Sequence, residues 1–298
     1  METLGDHYKV AKIITMPTTP NFQQSDFRLS RAIGVTSSPF SGVQKTQEYD
    51  SVFWIADVSL PLMRRSTAVN WQSFLLDCKG PTNHFQFADP DALTNTGSYN
   101  ADDTEANKRV NNTSVTLSFS GSTITAGAST FANAVVGDFI YVSGATNEDN
   151  NGTHKITTVT SNTVVVTSTT FTSESSTASC KVQQNIKGAT GLSLQSSSNS
   201  ATGTIKKGDY LGVLSGTSTT STPAQLLLVM EDATVTVGSG KDTIAVRTEP
   251  KLRSDLADSN LVKFANPKGL FRLIDVEQGW SAGKNSNYKI AFSVVEVV

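Results

Sequence analysis

The chain has 298 residues, of which 37% are hydrophobic and 17% charged, and its formal net charge is −2. A chain of this length can bury a sizeable core and divide into two domains. Its charge balance gives no electrostatic footprint for specific nucleic-acid binding, and the lack of an apolar run of about 20 residues predicts no membrane span.

The first predicted segment is an extended N-terminal arm, residues 1–24. It contains Pro17 and Pro20, which disfavour a helix because proline lacks a backbone N–H donor. The apolar residues of the arm are isolated rather than periodic, so we expect them to dock in a neighbouring copy of the chain. These candidate interface residues are Tyr8, Val10, Ile13, Ile14 and Phe22.

Residues 25–107 are predicted to form the first part of a scaffold β-sandwich. Apolar and polar residues alternate over 27–33, which predicts a half-buried strand. A turn cluster follows at 37–42, and residues 47–60 supply a longer strand or pair of strands. Residues 85–87 alternate again and predict one more strand of the same sandwich.

One helix is predicted in the scaffold, over residues 66–79. Ser66 or Thr67 can cap its first turn, and Gly80-Pro81 ends it. Five apolar residues recur three or four positions apart, as on one face of a helix, and we expect this face to pack on the sandwich. They are Ala68, Trp71, Phe74, Leu75 and Cys78.

Residues 108–221 are predicted to form an inserted module rich in Ser and Thr, a small β-barrel or sandwich. Short strands alternate with turns such as 150–152. Two segments, 137–139 (Gly-Asp-Phe) and 208–210 (Gly-Asp-Tyr), open similar strands. This similarity indicates either a duplicated hairpin or a chance repeat of a common turn. Insertions on a rigid scaffold often serve contact rather than chemistry.

Residues 222–298 are predicted to return to the scaffold sandwich. Trp280 lies beside Gly279 in a predicted turn, and it is the tryptophan that we expect at an interface, because tryptophan is enriched there. The strands predicted in this part are 225–230, 234–237, 243–246, 269–273 and 288–295, of which 234–237 and 243–246 form a hairpin.

The sequence shows no constellation of catalytic or metal-binding residues. The three histidines are far apart, and none has a cysteine or a pair of carboxylates at ligand spacing. Residues 148–152 lack the ligand layout of a calcium loop. No nucleophile elbow or phosphate-binding loop is present. We therefore predict no enzymatic activity, no cofactor and no metal, and we expect both cysteines to be buried free thiols.

Two blocks flanking the module carry recognisable motifs. The first contains Ser38-Pro39-Phe40-Ser41-Gly42-Val43, Trp54-Ile55-Ala56-Asp57-Val58 and Phe85-Gln86-Phe87-Ala88-Asp89, and the second contains Asn266-Pro267-Lys268-Gly269-Leu270-Phe271-Arg272-Leu273 and Gly279-Trp280-Ser281. These blocks, residues 37–91 and 262–298, resemble tail proteins of tailed bacteriophages. Within that group they are similar to distal tail proteins of long-tailed phages and gene transfer agents. Residues 137–159 also resemble a β-rich segment common in virion proteins.

The resemblance implies a galectin-like β-sandwich with one short helix and an inserted small β module, an all-β fold. It further implies a structural virion protein that forms a homo-oligomeric ring, a hexamer, at the distal end of the tail. There it would join the tail tube protein to the tail hub or tip proteins and the adhesion apparatus, after assembly in the host cytoplasm.

Two alternatives for the function stay open at this point. One is a carbohydrate-binding adhesin whose module contacts a glycan on the host surface. The other is a neck or tail-terminator component. Aromatic residues of the module could stack on sugar rings or could fill the module's own core. They are Phe131, Phe139, Tyr141 and Phe171.

Overall fold

A computed structural model of the chain describes residues 11–100, 104–196, 201–237, 241–284 and 286–298. Within these ranges nearly all regular structure is β, with one α-helix and one short 3-10 helix. The predicted all-β class with one short helix is therefore confirmed.

The first strands in the chain are β1 (Ile13–Ile14), β2 (Gln24–Ser37), β3 (Gln44–Ser59), β4 (Met63–Arg64), β5 (His84–Phe87) and β6 (Thr104–Ala106), and helix α1 (Arg65–Cys78) follows β4. Next come β7 (Asn111–Ser120), β8 (Thr123–Ala126), β9 (Phe139–Ser143), β10 (Gly152–Ser161), β11 (Val164–Thr167) and β12 (Glu174–Gln183), with the 3-10 helix (Glu148–Asn150) before β10. The strands after residue 190 are β13 (Gly191–Ser196), β14 (Thr204–Ile205), β15 (Tyr210–Leu214), β16 (Pro223–Val229), β17 (Ala233–Thr234), β18 (Thr243–Glu249), β19 (Leu261–Lys263), β20 (Gly269–Leu273), β21 (Ser281–Ala282), β22 (Asn287–Lys289) and β23 (Ala291–Glu296).

The chain divides into two compact units: unit 1 is Met1–Asp91 with Lys268–Val298, and unit 2 is Ala92–Pro267. The scaffold is thus interrupted by an insertion, but the predicted boundaries at 108 and 221 were wrong. Strands β16 and β18, expected in the scaffold, pair with β15, β13 and each other inside unit 2. Their apolar runs fill the core of a second small barrel, which sequence composition alone does not distinguish from the scaffold.

Unit 1 is a six-stranded sheet in the order β1-β5-β20-β23-β3-β2, with a small sheet β21-β22-β4 and helix α1. The helix face predicted from its spacing is buried, and its residues contact both flanking blocks. Trp71 lies 6.1 Å from Phe292 between ring centroids, and Phe74 lies 5.1 Å from Phe85. The prediction that this helix packs on strands from both blocks is confirmed.

The two ends of α1 differ: the N-terminal end has no side-chain cap, and at the C-terminal end the Asn83 amide donates to the Asp77 carbonyl at 2.7 Å. Arg64 is the N-terminal cap residue and is extended, and no side-chain hydrogen bond caps this end of the helix. The expected capping by Ser66 or Thr67 was therefore wrong. At the other end, Lys79 adopts a left-handed conformation with φ of 51°, and its N–H donates to the carbonyl of Leu76. This conformation stops the helix just before Gly80.

Unit 2 contains two closed six-stranded barrels of the same strand order. The first barrel is β7 to β12 in sequence, and the second consists of β6, β13, β15, β16, β18 and β19. When the strands of each barrel are numbered one to six along the chain, both barrels close in the circular order 4-5-2-1-6-3. The first barrel is inserted between strands one and two of the second. The predicted small β-barrel is confirmed, and it occurs twice.

The Gly-Asp segments occupy equivalent positions in the two barrels, at the start of strand three. In each, the glycine N–H donates to a carbonyl on strand four, and the N–H of that same residue donates to the aspartate carbonyl. The carboxylate accepts from the N–H three residues earlier. The first barrel has Gly137 to Ile156 at 2.8 Å, Ile156 to Asp138 at 2.8 Å and Val135 to Asp138 at 3.1 Å. The second has Gly208 to Val229 at 2.9 Å, Val229 to Asp209 at 2.8 Å and Lys206 to Asp209 at 2.9 Å. Shared hydrogen bonding and shared strand order favour duplication over chance.

One predicted hairpin of the second barrel is only partly present. Strand β17 pairs with β14, and β18 pairs with β13 and β16. A single bridge between Thr236 and Thr243 joins the two predicted arms. The loop residues 238–240 lie outside the described residues.

Candidate assembly surface

Where the structure describes them, the interface residues predicted in the N-terminal arm are partly engaged within their own unit, although Ile13 is 47% exposed. Tyr8 and Val10 lie outside the described residues. Ile13 and Ile14 form β1, which pairs in parallel with β5 of the same chain. The backbone of the arm therefore completes the sheet of unit 1 rather than reaching for a neighbour at this point.

Phe22 also belongs to the core of its own unit. It is partly buried, and its ring centroid lies 5.6 Å from Trp71, 5.7 Å from Phe87 and 6.3 Å from Phe292. The indole N–H of Trp71 donates to the carbonyl of Thr19 at 3.1 Å. Phe22 thus packs in the aromatic cluster of its own unit and Ile14 lies in a strand of its own sheet, while the docking of the arm in another copy stays a prediction.

Trp280 is exposed, as is Ile13 of the arm. Trp280 precedes β21, and 40% of its surface is exposed. Its exposure agrees with a role in contact, and Ile274 and Val276 are exposed in the same segment.

A stronger candidate surface is the outer half of the hairpin formed by β2 and β3. Strand β3 pairs with β23 only over Ile55–Ser59, so beyond that point β2 and β3 are a two-stranded ribbon. The register shifts between Arg31 and Ile33, where three residues of β3 face one of β2. Such a bulge increases the local twist and re-aims the strands. We call residues 32–51 the ribbon.

The ribbon is long for an unsupported element. From the bulge to the tip it covers about seven residues per strand, or about 25 Å at 3.3 Å per residue. No third strand pairs with it among the residues that the structure describes. A two-stranded hairpin alone is marginally stable in water, and an edge strand such as β2 is a ready template for another chain.

The ribbon exposes apolar side chains on both of its faces. Ile33 and Val35 lie on one face, two positions apart, opposite Glu48 and Thr46. On the other face, Tyr49 lies over Gly34: a Cβ atom there would sit 3.2 Å from the tyrosine ring, so a larger residue would displace the ring by a few tenths of an ångström. All of these apolar residues are more than half exposed; with the tip they are Ile33, Val35, Phe40, Val43 and Tyr49.

The tip of the ribbon is an ordered loop that presents a single phenylalanine. Backbone hydrogen bonds join Ser38 to Val43 and Gly42 to Ser38, each at 2.9 Å. The Ser38 hydroxyl accepts from the N–H groups of Phe40 and Ser41. Gly42 has a φ of +68°, which only glycine adopts at low cost. Phe40 itself is 99% exposed.

This cluster is unlike the scattered exposed apolar residues of an ordinary surface. Fully burying one exposed side chain of this size stabilises by about 1.5–3 kcal/mol. Because four of the five are already about half buried, covering all five could supply on the order of 5–10 kcal/mol to an association, before its entropic cost is subtracted. The ribbon is therefore the stronger candidate contact surface of the molecule.

The buried charges of unit 2 have structural partners. The guanidinium of Arg109 pairs with the carboxylate of Asp138, with Nε 2.9 Å from Oδ2, and both side chains are almost fully buried. Asp138 is the aspartate of the first barrel's Gly-Asp corner. Its counterpart Asp209 instead accepts from the backbone and hydroxyl of Thr96 at 2.8 and 2.7 Å. Each carboxylate thus ties a strand of its barrel to a preceding segment.

His154 is a buried structural residue of the first barrel. Its Nε2 lies 3.0 Å from the Asn150 carbonyl and its Nδ1 lies 3.1 Å from the Thr169 hydroxyl. This arrangement suits the neutral ring protonated on Nε2. Burial lowers the pKa of His154, and the ring packs against Phe171.

Glu174 fastens the loop that precedes β10. Its carboxylate accepts from the N–H groups of Thr146 and Asn147, from the Asn150 amide and from the Thr177 hydroxyl. Burial alone would raise the pKa of Glu174, but these hydrogen bonds outweigh it and lower the pKa to about 2. All of its acceptor positions are used within the protein.

The module aromatics are core residues. Phe131, Phe139 and Phe171 are buried, and Tyr141 is partly buried against the second barrel's core. None of the four offers an open ring face for a sugar. Of the two interpretations of these residues, the structure supports core packing.

Across the described ranges there is no group of three or more His, Cys, Asp or Glu side chains placed to hold a metal ion. Both cysteines are buried and free, as predicted. In the same ranges no helix has the length and apolar character to cross a bilayer.

Comparison with known proteins identifies no relative. No protein-family model matches the chain, and no curated protein matches it significantly.

Sequence reasoning missed the ribbon because its alternating residues are typical of an ordinary half-buried strand. Ile33 and Val35 continue the alternation of Phe27 and Leu29, which only Arg31 interrupts. Whether a third strand supports this part of the hairpin depends on how far β23 pairs along β3, which the sequence near Ile33 does not determine. One local signal was available: residues 32–44 contain no charged side chain, which is unusual for an exposed hairpin.

Proposed function

We propose that this protein is a structural component of a bacteriophage tail. In this proposal it forms a homo-oligomeric ring at the distal tail end, a hexamer by the resemblance of the flanking blocks. The ring joins the tail tube to the hub or tip proteins and the adhesion apparatus within the virion. The ribbon is the observation that carries the proposal.

The ribbon supports an assembly role because its features are unfavourable in an isolated monomer. It exposes apolar surface, presents an edge strand and receives no support from a third strand. Natural proteins protect long edge strands with charges, prolines or covering elements. Residues 32–37 carry none of these protections. A partner that covers the ribbon resolves both liabilities.

The polar clusters of the molecule support a structural role over catalysis. Asp138, Glu174 and His154 are engaged in hydrogen bonds or ion pairs that hold the barrels together. Catalytic acids and bases are instead expected to face a cleft with room for a substrate. The adhesin alternative has less support, because the aromatic residues on which it relied are buried.

The experiment that tests this proposal shortens the ribbon. Since Ile33 faces Glu48, residues 34–47 can be replaced with Asn-Gly to leave a two-residue hairpin turn. We expect the variant to keep the wild-type melting temperature of its units and to be monomeric by light scattering, where the wild-type chain is oligomeric.

A matched control removes 217–220, an exposed loop of unit 2 between β15 and β16. That variant should keep the wild-type mass and enter tails normally. A ribbon-shortened protein with the wild-type oligomer distribution and normal incorporation into tails would refute the proposed role of the ribbon.

A further inference from the structure

We propose that the ribbon tip of one copy docks on the outer face of helix α1 of a second copy. This inference rests on the proposed assembly function and names the partner of the ribbon. It assigns Phe40 as the anchor and Val69 with Leu76 as the surface that receives it.

The tip has the properties of an anchor. Phe40 is the most exposed of the large apolar residues that the structure describes. The loop that presents it is closed by hydrogen bonds between Ser38 and Val43. The loop therefore loses little conformational freedom on binding. Residues 32–44 carry no charge, so the tip can be desolvated without burying an unpaired ion.

The outer side of helix α1 carries two exposed apolar residues in addition to its buried face. Val69 and Leu76 are seven positions apart, so they lie on the same side of the helix, with Gln72 and Ser73 between them, and both are about half exposed. Val276 is 79% exposed and lies next to Gly80, just after the C-terminal end of the helix. The Cα and carbonyl oxygen of Val276 are 3.2 and 3.4 Å from the position that a Cβ atom on residue 80 would take. Together these residues offer an apolar surface on the same unit as the ribbon.

One charged residue of the ribbon can complement the start of the helix. The helix begins with Arg64 and Arg65, both exposed, and has no acidic residue in its first turn. On the ribbon, Glu48 is already paired with Arg31 at 2.8 Å and Lys45 lies near the tip, so the complementary residue is the exposed Asp50. When the tip lies on Leu76 near the C-terminal end of the helix, Asp50 can lie toward the basic start of the helix. Such a pair adds specificity and orientation more than affinity.

The contact has to be made between copies. Phe40 is almost fully exposed, so it does not reach the helix of its own chain. Tip and helix are different surfaces, so each copy can give its tip to the next copy in a head-to-tail contact, whereas a reciprocal exchange would give a two-fold dimer. A head-to-tail contact closes into a ring when its rotation permits, as the proposed function requires.

Disulfide crosslinking of the full chain tests the docking. The variant Ser41→Cys with Ser73→Cys places the thiols at exposed positions beside the anchor and beside the receiving residues, so Phe40 and Leu76 are kept. It is oxidised mildly, and intermolecular bonds are identified by peptide mass spectrometry. The native thiols give little background because both are buried, and burial raises the pKa of Cys78 to about 12. The control pairs Ser41→Cys with Thr158→Cys, an exposed position on the first barrel.

We expect a ladder of covalent oligomers linked through positions 41 and 73, forming at least tenfold faster than in the control. Crosslinks between two copies of position 41, or yields at the control level while the wild-type chain still assembles through its ribbon, would overturn the docking but leave the proposed function intact. A wild-type chain that never assembles, whatever the state of its ribbon, would instead refute the proposed function.

Charge reversal gives an independent measure of the same contact. Asp50→Arg and Arg65→Glu should each weaken assembly about tenfold, and the double variant should recover most of the loss. Because both side chains are exposed, neither change should lower the melting temperature. Additive losses without recovery in the double variant would contradict the proposed orientation of the ribbon on the helix.

Discussion

The inner and outer halves of the β2–β3 hairpin have similar sequences and opposite surroundings. In the inner half, Phe27 lies 5.5 Å from Trp54, 5.8 Å from Phe87 and 6.0 Å from Phe271 between ring centroids. In the outer half, Phe40 projects into solvent. The difference teaches that an apolar side chain supports folding only where other strands meet it, and otherwise is available for assembly.

The largest effect expected from this comparison is on stability, in the inner half. Phe27→Ala removes a ring from an aromatic cluster and should lower the free energy of unfolding by about 3 kcal/mol, as large-to-small core changes do. Phe40→Ala removes the same side chain from the tip and should change stability by less than about 0.5 kcal/mol.

Denaturant melts of the two variants measure both values on one hairpin. Equal losses of stability in the two variants would show that the tip is part of the folded core, and would remove the distinction between the two halves.

A second, smaller effect is expected from pH, which should change the stability of the first barrel but not assembly through the ribbon. Burial lowers the pKa of His154 below its usual 6.5, so the unfolded chain takes up a proton that the folded first barrel resists. Stability is therefore present above pH 6.5 and is lost as the pH falls toward the folded pKa. Glu174, with its pKa lowered from 4.5 to about 2, adds a further loss below pH 4.5.

Thermal melts between pH 7 and pH 5 should show a falling transition for unit 2 that becomes flatter in His154→Gln. The ribbon contains no histidine, so its assembly should persist over the same range. A transition that does not shift between pH 7 and pH 5 in the wild-type protein would contradict a buried neutral His154.

The smallest effect is expected from removing unit 2 altogether. Phe87 and Gly269 are paired between β5 and β20, so a short Gly/Ser linker in place of 92–267 closes a loop at low entropic cost. Unit 1 should keep its fold and an unchanged oligomer distribution by light scattering. By contrast, a deletion of 108–205 removes β13 and should unfold the second barrel.

Loss of the cooperative unfolding transition in the 92–267 deletion would show that unit 1 needs unit 2 for its core. Retained folding with lost assembly would place the contact on unit 2 rather than on the ribbon.

Local patterns predicted the elements of this fold well, because the cause of each pattern lies within a few residues. The buried face of α1 follows from residues three or four apart, and the loop at the ribbon tip follows from Pro39 and Gly42. The all-β class follows from the same short-range preferences.

Pairing between distant strands could not be predicted in the same way. The boundaries of the insertion depended on whether β16 and β18 pair with the scaffold or with β15 and β13, and both choices suit the same apolar run. The candidate surface was missed for a related reason, since exposure of Ile33 and Val35 depends on the length of β23. The Gly-Asp repeat was visible locally, but only the shared barrel order decided its meaning.

The central claim is that the chain assembles into a closed ring through its ribbon. Native mass spectrometry of the full-length protein at several concentrations tests this most directly. Our account predicts one dominant closed oligomer, six copies by the resemblance, that is lost in Phe40→Ala while the monomer stays folded. A chain that remains monomeric at every concentration, or an oligomer indifferent to Phe40, would contradict it.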